Sequence, residues 1–338
     1  MEMDTKNKIM TKSKIKDIAI YLPERIVFND EIESKIKIGS NSIPFGSLEK
    51  IFGITSRRFA EKHVQVSDLA VNAALQILEK TNTKIDFLIF AAASSDLIEP
   101  ATANIIQQKL KLNCPCLDIK NACNSMLSAI QVASAMIDSN IYKNILIVNG
   151  EKLSEVINYN PRDENHLMEC LPGYTLGDAG AAILISHDEG AEIVHQSFSS
   201  LGQYWNLCKV EGGGSMAFRN PQSYYFEGQG ESLKNAFFQN LPQFIENALA
   251  GTNWTKEEID VVINHQVSDN TCKYLNEHLR ISEDKYFNTF KHIGNVAAAT
   301  AIISLKLALN EQKVTTGKKV MLIGMAAGIS MSAQFIQW

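Results

Sequence analysis

The chain has 338 residues, 45% of them apolar and 20% charged, enough to bury a large core and to form two fused halves. A formal net charge of -5 gives no reason to expect a nucleic-acid groove or an anionic membrane surface as partner. Six cysteines (114, 116, 123, 170, 208 and 272) lack the spacing of a disulfide framework, and Cys114-Pro115-Cys116 is too tight for a zinc knuckle, so no metal is expected.

The Lys-rich start, Met1 to Lys16, has no apolar segment of signal-peptide length. No apolar run anywhere reaches the roughly 18 residues of a membrane span, which points to the cytoplasm. A short strand, Asp17 to Leu22, is ended by Pro23, and Gly53-Ile54-Thr55-Ser56-Arg57-Arg58 follows a region of mixed pattern. Ser67 to Lys80 reads as an amphipathic helix with Ser67 as N-cap and Leu69, Val71, Ala74, Leu75, Ile77 and Leu78 on its apolar face. Ile85 to Ala91 is a continuous apolar run, the pattern of a strand buried on both faces. A helix at about 101–111 comes next, then a strand containing Cys114 and Cys116.

Leu117 to Ile130 is the centre of the chain, because here an apolar run becomes a helix with Cys123 at the junction. The helix is apolar nearly all round, as a buried helix is. A cysteine there is either a small buried hydrophobe or a nucleophile, and a thiol at a helix N-terminus is biased toward thiolate by unpaired N–H groups and the macrodipole. A strand at Asn144 to Asn149, a turn at Gly177-Asp178-Ala179-Gly180 and a strand at Ala181 to Ser186 follow. Alternation of this kind means a layered α/β fold.

The second part of the chain repeats the first. Ile85 to Ile89 resembles Ile259 to Ile263, Leu146 to Gly150 resembles Val320 to Gly324, and the Ala-rich helix after Cys123 resembles Val296 to Leu309, all at a spacing of 174. Two similar halves, 1–188 and 189–338, follow, packed as five layers with equivalent central helices. The spacing makes Asn295 the counterpart of Asn121 and position 297 that of Cys123. His265 stands at the end of the strand Ile259 to Ile263, and Gly294-Asn295 precedes the second Ala-rich helix. Taken alone, His265 reads first as a satisfied structural histidine, and Asn295 reads as readily as an N-cap.

Together these residues resemble a known family, the β-ketoacyl-acyl-carrier-protein synthase III-like condensing enzymes of the thiolase superfamily. Asn121-Ala122-Cys123, Gly177-Asp178-Ala179-Gly180-Ala181, His265-Gln266, Gly294-Asn295-Val296-Ala297-Ala298-Ala299 and Gly324-Met325-Ala326-Ala327-Gly328 stand in the family's order, as do Gly53-Ile54 and Arg57-Arg58. The resemblance implies the thiolase-like five-layered α-β-α-β-α fold and an acyltransferase acting as a ketosynthase. It implies Cys123 as the acylated nucleophile, His265 and Asn295 as donors to the extender thioester, and an oxyanion hole from the amides of Cys123 and Ala327. Thioester exchange needs a nucleophile that also leaves well, and a tetrahedral oxyanion needs two fixed donors. Acyl carrier protein or coenzyme A thioesters are the implied partners, no cofactor is called for, and a homodimer is expected, with the apolar strands at 144–149 and 177–186 as its interface.

Three departures qualify the match. Ser47 and Ile51 occupy the places of the Trp and Arg that clamp the coenzyme A nucleotide, and Val267-Ser268-Asp269-Asn270 lacks the Arg that docks a carrier. Glu99, before Pro100, stands where an apolar residue reaches the partner subunit's pocket, and is a candidate auxiliary base or else a loop carboxylate. Gly212-Gly213-Gly214 and Gly228-Gln229-Gly230 read as surface turns. The expected reaction is a condensation within fatty-acid-like or specialised biosynthesis of the dialkylresorcinol or stilbene kind. Acyl transfer to an alcohol or amine, and a silent partner subunit, are the alternatives.

Overall fold

The computed structural model describes residues 13–39 and 41–338, the side chains of 41, 272 and 276 excepted. The N-terminal stretch through residue 12 and the side chain of Cys272 therefore lie outside the described residues.

The first group of strands is β1 (Lys14–Tyr21), β2 (Phe87–Ala91), β3 (Cys116–Ile119), β4 (Asn144–Lys152) and β5 (Asp178–Ser186). The second is β6 (Ala191–Ser200), β7 (Val261–Asn264), β8 (Lys319–Ala326) and β9 (Ser330–Gln337). Their hydrogen-bonded order is β7-β8-β9-β6-β1-β5-β4-β2-β3. The two groups meet only at Lys14↔Glu192 and Ile15↔Ala191, so the series folds over at β1 and β6 into two stacked sheets. Within each group one parallel contact, β2 with β4 or β7 with β8, matches an antiparallel one, β4 with β5 or β8 with β9. In the second group the place of β3 is reduced to a single bridge between Val262 and Tyr286.

Helices complete five layers. Between the sheets lie α3 (Ser125–Asp138) and α6 (Thr300–Asn310), and their Ile130, Ile137, Ile302, Ile303 and Leu305 share one core with Ile89, Ile147, Ile263 and Leu322 from both sheets. Each such side chain, withdrawn from water, contributes about 1.5–3 kcal/mol. The outer face of the first sheet carries α1 (Val66–Leu78) and α2 (Thr102–Lys109), and that of the second carries α4 (Gly230–Ala250) and α5 (Asp269–Leu279). This is the expected layered fold.

The elements correct several expectations. Helix α1 begins at Val66, and its N-terminal box is Gln65 with Asp68, whose carboxylate accepts the Gln65 N–H at 2.8 Å. Ser67 is buried inside the first turn and accepts from Lys109 Nζ at 2.7 Å. Asp178 to Gly180 is not a turn but the start of β5. Gly180 is small for another reason: a Cβ there would lie 2.1 Å from the Leu69 carbonyl oxygen, so α1 approaches β5 only because no side chain intervenes.

The repeat also shifts by one residue. In β2 and β7, Phe87 and Val261 correspond at a spacing of 174, but they pair with Ile145 and Val320, which lie 175 apart. Ile145 and Val320 both face the central layer, whereas Leu146 faces the outer one. One residue of slip reverses faces in a strand, and an apolar run buried on both faces hides the slip from sequence comparison. The first residues of α3 and α6, Ser125 and Thr300, are again 175 apart, as are the left-handed Ala122 and Ala297. Asn295 thus corresponds to Lys120, and Ala298, not Ala297, to Cys123.

Strands β4 and β5, expected at a dimer interface, lie inside the first sheet with β5 wholly buried. The open edge of that sheet is β3, whose side chains stay partly exposed. No helix among the described residues is long and apolar enough to cross a membrane.

Candidate active site

Chain reversals at the ends of β7, β8 and α3 surround a cavity of about 1070 Å³. Cys123, His265, Ala297, Ala326 and Ala327 line it together with the apolar Val156, Phe226, Leu233, Phe237, Phe238 and Tyr274. The segment from Leu153 to Gly177, between β4 and β5, contributes Leu153, Glu155, Val156 and Leu176 to its lining. The counterpart of this segment, between β8 and β9, is only the turn at 327–329.

Cys123 sits two residues before the first helical residue of α3, on a sharp turn in which Ala122 has φ 46°. That left-handed conformation is costly for alanine and persists because the surroundings fix it. Asn121 Nδ2 donates to Ser128 Oγ at 2.9 Å and Ser330 Oγ at 3.0 Å, while Asn124 donates to Ser330 Oγ at 3.0 Å and accepts from Ser332 Oγ at 2.6 Å. The turn that carries the thiol is therefore bolted to β9 of the other sheet. Gly324 on β8 completes the fit, since a Cβ there would lie 2.1 Å from Asn124 Oδ1.

Electrostatics here run against the expected thiolate. Burial pushes the Cys123 thiol far above the ordinary range, Cys208 and Glu151 add to the shift, and only the residue's own backbone N–H opposes it. Cys123 is partly exposed to the cavity, yet the desolvation of an anion among its apolar neighbours outweighs a helix terminus two residues away.

His265 follows β7 directly and is 4% exposed. Its N–H donates to the Ile323 carbonyl at 2.9 Å, and Asn264 Nδ2 donates to its carbonyl at 2.7 Å. The next residue, the fully buried Gln266, donates to Phe287 O and accepts from Thr289 N, which holds the strand end rigid. Burial lowers the imidazole pKa to about 4, so the ring is neutral at pH 7 and carries one proton to donate. Nδ1 is buried without a partner among the described residues, so the protein does not fix the tautomer.

Asn295 is buried behind Ala297 rather than on the lining itself. Its N–H donates to Thr175 O at 2.9 Å and its carbonyl accepts from Gly177 N at 3.0 Å, so the end of the segment from Leu153 to Gly177 positions it. Its Oδ1 accepts the Ala297 N–H at 3.0 Å, so the accepting end of the amide is used within the protein.

Glu99 is exposed and absent from this cavity, although the preceding Leu97 and Ile98 line its mouth. Arg57 is a structural residue: its guanidinium is fully buried, donates to Asn29 Oδ1 and Tyr174 O at 2.9 Å each, and burial lowers its pKa to about 10. The glycine stretches are not mere surface turns. Gly212 and Gly213 line the mouth, Gly228 pairs with Cys208 in a two-residue strand, and Gly230 opens α4.

His166 and Glu169, in the segment from Leu153 to Gly177, converge with Glu227 as a metal site would. However, His166 Nδ1 accepts the Arg162 N–H at 3.0 Å, so the ring proton is on Nε2, 3.0 Å from Glu227 Oε1. A ring nitrogen that carries a proton is no ligand, and His166 with Glu227 is a hydrogen-bonded brace.

Two residues escaped the sequence reading. Glu151 is fully buried in β4, and burial raises its pKa although it accepts from Ala93 N, Ser94 N, Ser94 Oγ and Asn149 Nδ2. Its signal was an acid ending an apolar run. Cys208 gave none.

Models of 3-oxoacyl-[acyl-carrier-protein] synthase III match residues 117–202, and those of its C-terminal part match 249–338, together just over half of the chain. β-Ketoacyl-[acyl-carrier-protein] synthase III of Neisseria gonorrhoeae is 27% identical over 97% of this chain and 100% of its own. That of Campylobacter jejuni is 29% identical over 97% and 98%. Among solved structures, 3-oxoacyl-[acyl-carrier-protein] synthase III from Aquifex aeolicus superposes with a TM-score of 0.84 at 24% identity, covering 96% of this chain and 100% of that one. Cerulenin-bound OleA from Xanthomonas campestris superposes with 0.88 at 23%, covering 97% and 98%. The chain belongs to the β-ketoacyl-acyl-carrier-protein synthase III-like condensing enzymes of the thiolase superfamily, which are acyltransferases.

Proposed function

We propose that this ketosynthase loads an acyl group from a carrier-protein or coenzyme A thioester onto Cys123 and condenses it with a malonyl- or β-ketoacyl-thioester, in fatty-acid-like or specialised biosynthesis. The observation that carries this reading is one cavity, with many apolar side chains in its walls, onto which Cys123, His265 and Ala327 all open. The Cys123 sulfur attacks the thioester carbonyl, and the backbone N–H groups of Cys123 and Ala327 hold the oxyanion. Because the thiol is protonated at rest, its proton must leave as the carbon–sulfur bond forms, and the departing thiolate of the donor takes it. Loss of carbon dioxide from a malonyl extender, or transfer of an α-proton from a β-ketoacyl extender to a carboxylate such as Glu99 of a second copy, leaves an enolate, held by the neutral His265 ring and Asn295 Nδ2. The resulting carbanion attacks acyl-Cys123 and expels the Cys123 thiolate, which takes a proton from water. The chemistry calls for no cofactor.

The volume supports an acyl chain of some length, since drug-sized ligands fill roughly 300–1,000 Å³. A second copy packed on the open edge of β3, beside the exposed Leu97 and Ile98, is the dimer we propose, and it would decide where Glu99 points.

Intact-mass analysis after exposure to acyl-thioesters tests the assignment. One acyl adduct is expected, absent from Cys123→Ala. His265→Ala and Asn295→Ala should still acquire the adduct while condensation falls by about 100-fold or more. An adduct that persists in Cys123→Ala ends the reading.

A further inference from the structure

Strand β2 stops at Ala91 while its neighbour β4 runs on to Lys152, and their pairing ends at Phe90↔Val148. Backbone groups that leave a buried ladder need other partners. Two side chains of β4 take over: Asn149 Nδ2 donates to Ala91 O at 2.7 Å, and Glu151 accepts the Ala93 N–H on Oε1 at 2.9 Å and the Ser94 N–H on Oε2 at 3.0 Å. Asn149 Nδ2 also donates to Oε1 at 3.2 Å and Ser94 Oγ to Oε2 at 2.8 Å, so each oxygen accepts two bonds. A carboxylate has about four lone-pair sites, and with all of them taken none is left for a proton. Burial works against the charge and these four donors hold it. The adjacent Lys152 gives no help, since its ammonium turns to Glu155 at 3.3 Å.

A fully buried carboxylate without a counter-ion costs stability, so its place in an otherwise apolar strand asks for another reason. Its donors supply one. All six residues from Ala93 to Ile98 line the cavity, and Ala93 packs in the apolar cluster that holds Cys123 and Ala297. The far end of this stretch is tied separately, because Asp96 accepts the Ser67 N–H at 3.0 Å and donates its own N–H to Thr102 Oγ1 at 3.2 Å. Glu151 itself is not part of the lining. We infer that Glu151 is a positioning residue for substrate binding: its carboxylate fixes the stretch 93–98 as the wall of the cavity that receives the acyl-thioester. The inference rests on the proposed function for what the cavity receives. Glu151→Gln keeps the size of the side chain but turns one oxygen into an NH2 group, so whichever way the amide lies, Ala93 N or Ser94 N loses its acceptor. The wall then shifts while Cys123, His265 and Asn295 stay unaltered, which weakens binding without slowing the chemistry.

The full-length protein is compared with Glu151→Gln and with Glu151→Asp, which keeps the charge but draws it one bond back from the two amides. Acyl-N-acetylcysteamine thioesters from acetyl to dodecanoyl are screened on the unmutated protein, and the fastest is used throughout, with Cys123 acylation followed by intact mass against thioester concentration. Expected for Glu151→Gln is a half-saturating concentration about tenfold higher or more at a limiting rate that does not fall, and for Glu151→Asp a rise of about threefold. A role in stability alone would leave half-saturation unchanged and lower only the fraction of protein that acylates. That result, or a limiting rate that falls in place of the rise, overturns the inference. If Glu151→Gln does not fold, Glu151→Asp decides alone. Absence of any adduct on the unmutated protein sinks the functional reading instead, and hydrogen exchange then reads the wall by itself. The amides of 93 and 94 should exchange about tenfold faster or more in Glu151→Gln, while those of Thr102 and Ala103, held by Asp118, keep their protection. Equal exchange at 93 and 94 in both proteins overturns the inference.

Discussion

Replacing His265 by Asn tests whether burial, and not a charged partner, governs the site. The imidazole is 4% exposed and its pKa falls from an ordinary 6.5 to about 4, with desolvation as the cause. Its folded value is depressed, so on acidification the unfolded chain binds the proton first. Stability is unaffected above pH 6.5, falls as pH drops from 6.5 toward 4, and levels off below. Linkage gives a loss of about 1.4 kcal/mol at pH 5.5 and about 2.5 kcal/mol at pH 4.5, both small at pH 7.5. His265→Asn removes this titration while leaving every other group in place, so shared terms such as the buried Glu151 and Asp178 cancel in the comparison. Urea unfolding of both proteins at pH 7.5 and 5.5 measures the difference. Whatever packing the substitution costs at pH 7.5, the variant should regain about 1.4 kcal/mol relative to the unmutated protein at pH 5.5. A gap of equal size at the two pH values would mean that His265 is not desolvated as described, and the account of a neutral donor ring would go with it.

Gly180→Ala drives a Cβ to 2.1 Å from the Leu69 carbonyl and should cost about 2 kcal/mol or more, read as a lower urea midpoint, without altering the pH dependence of activity. Gly324→Ala meets Asn124 Oδ1 at 2.1 Å and Ser332 Oγ at 2.3 Å, so it should cost about 1–3 kcal/mol and also slow Cys123 acylation about tenfold or more in the protein that remains folded; unaltered acylation kinetics would show that the bolt to β9 does not position the thiol. Glu99→Gln should leave Cys123 acylation intact and suppress condensation only with extenders that are not decarboxylated, provided light scattering shows a dimer; normal rates with such extenders make Glu99 a loop residue.

Much of the architecture was legible because strands buried on both faces write themselves as continuous apolar runs. Phe87–Ala91 and Val261–Asn264 are wholly buried, and both stand where apolar runs were read. The same property concealed the register: when both faces are apolar, Ile145 and Leu146 are equally good counterparts of Val320, and only the sheet pairing separates them. Cys123 and His265 were legible from their places at element ends and from the resemblance, and both do open onto the cavity. The state of the thiol was not legible. A helix N-terminus is visible in a sequence, whereas the burial that raises the thiol pKa comes from a cavity wall whose residues, such as Val156, Leu176, Phe226 and Met325, are remote in the chain. Cys208 was invisible for a related reason, since its strand is two residues long and its partner, Glu227–Gly228, reads as a turn.

The inequality of the two halves explains how one site arises from a repeated fold. With equal connections, the ends of α3 and α6 would face similar surroundings, and two similar shallow openings would result. Instead the first half spends the stretch from Leu153 to Gly177 on part of the cavity lining, and its last residues, Thr175 and Gly177, grip Asn295 of the second half. The second half keeps its counterpart to the turn at 327–329, which leaves room for Ala327 to line the cavity beside Cys123. Burial at the cavity wall is also what raises the pKa of the sulfur. On the proposed chemistry, the resting enzyme therefore holds a protonated, weakly reactive thiol, and reactivity comes with the substrate, whose carbonyl oxygen accepts the two backbone N–H groups as the sulfur gives up its proton. A site built this way discriminates by what fits the cavity, because a small thiol reagent that brings no carbonyl finds the nucleophile largely unionised.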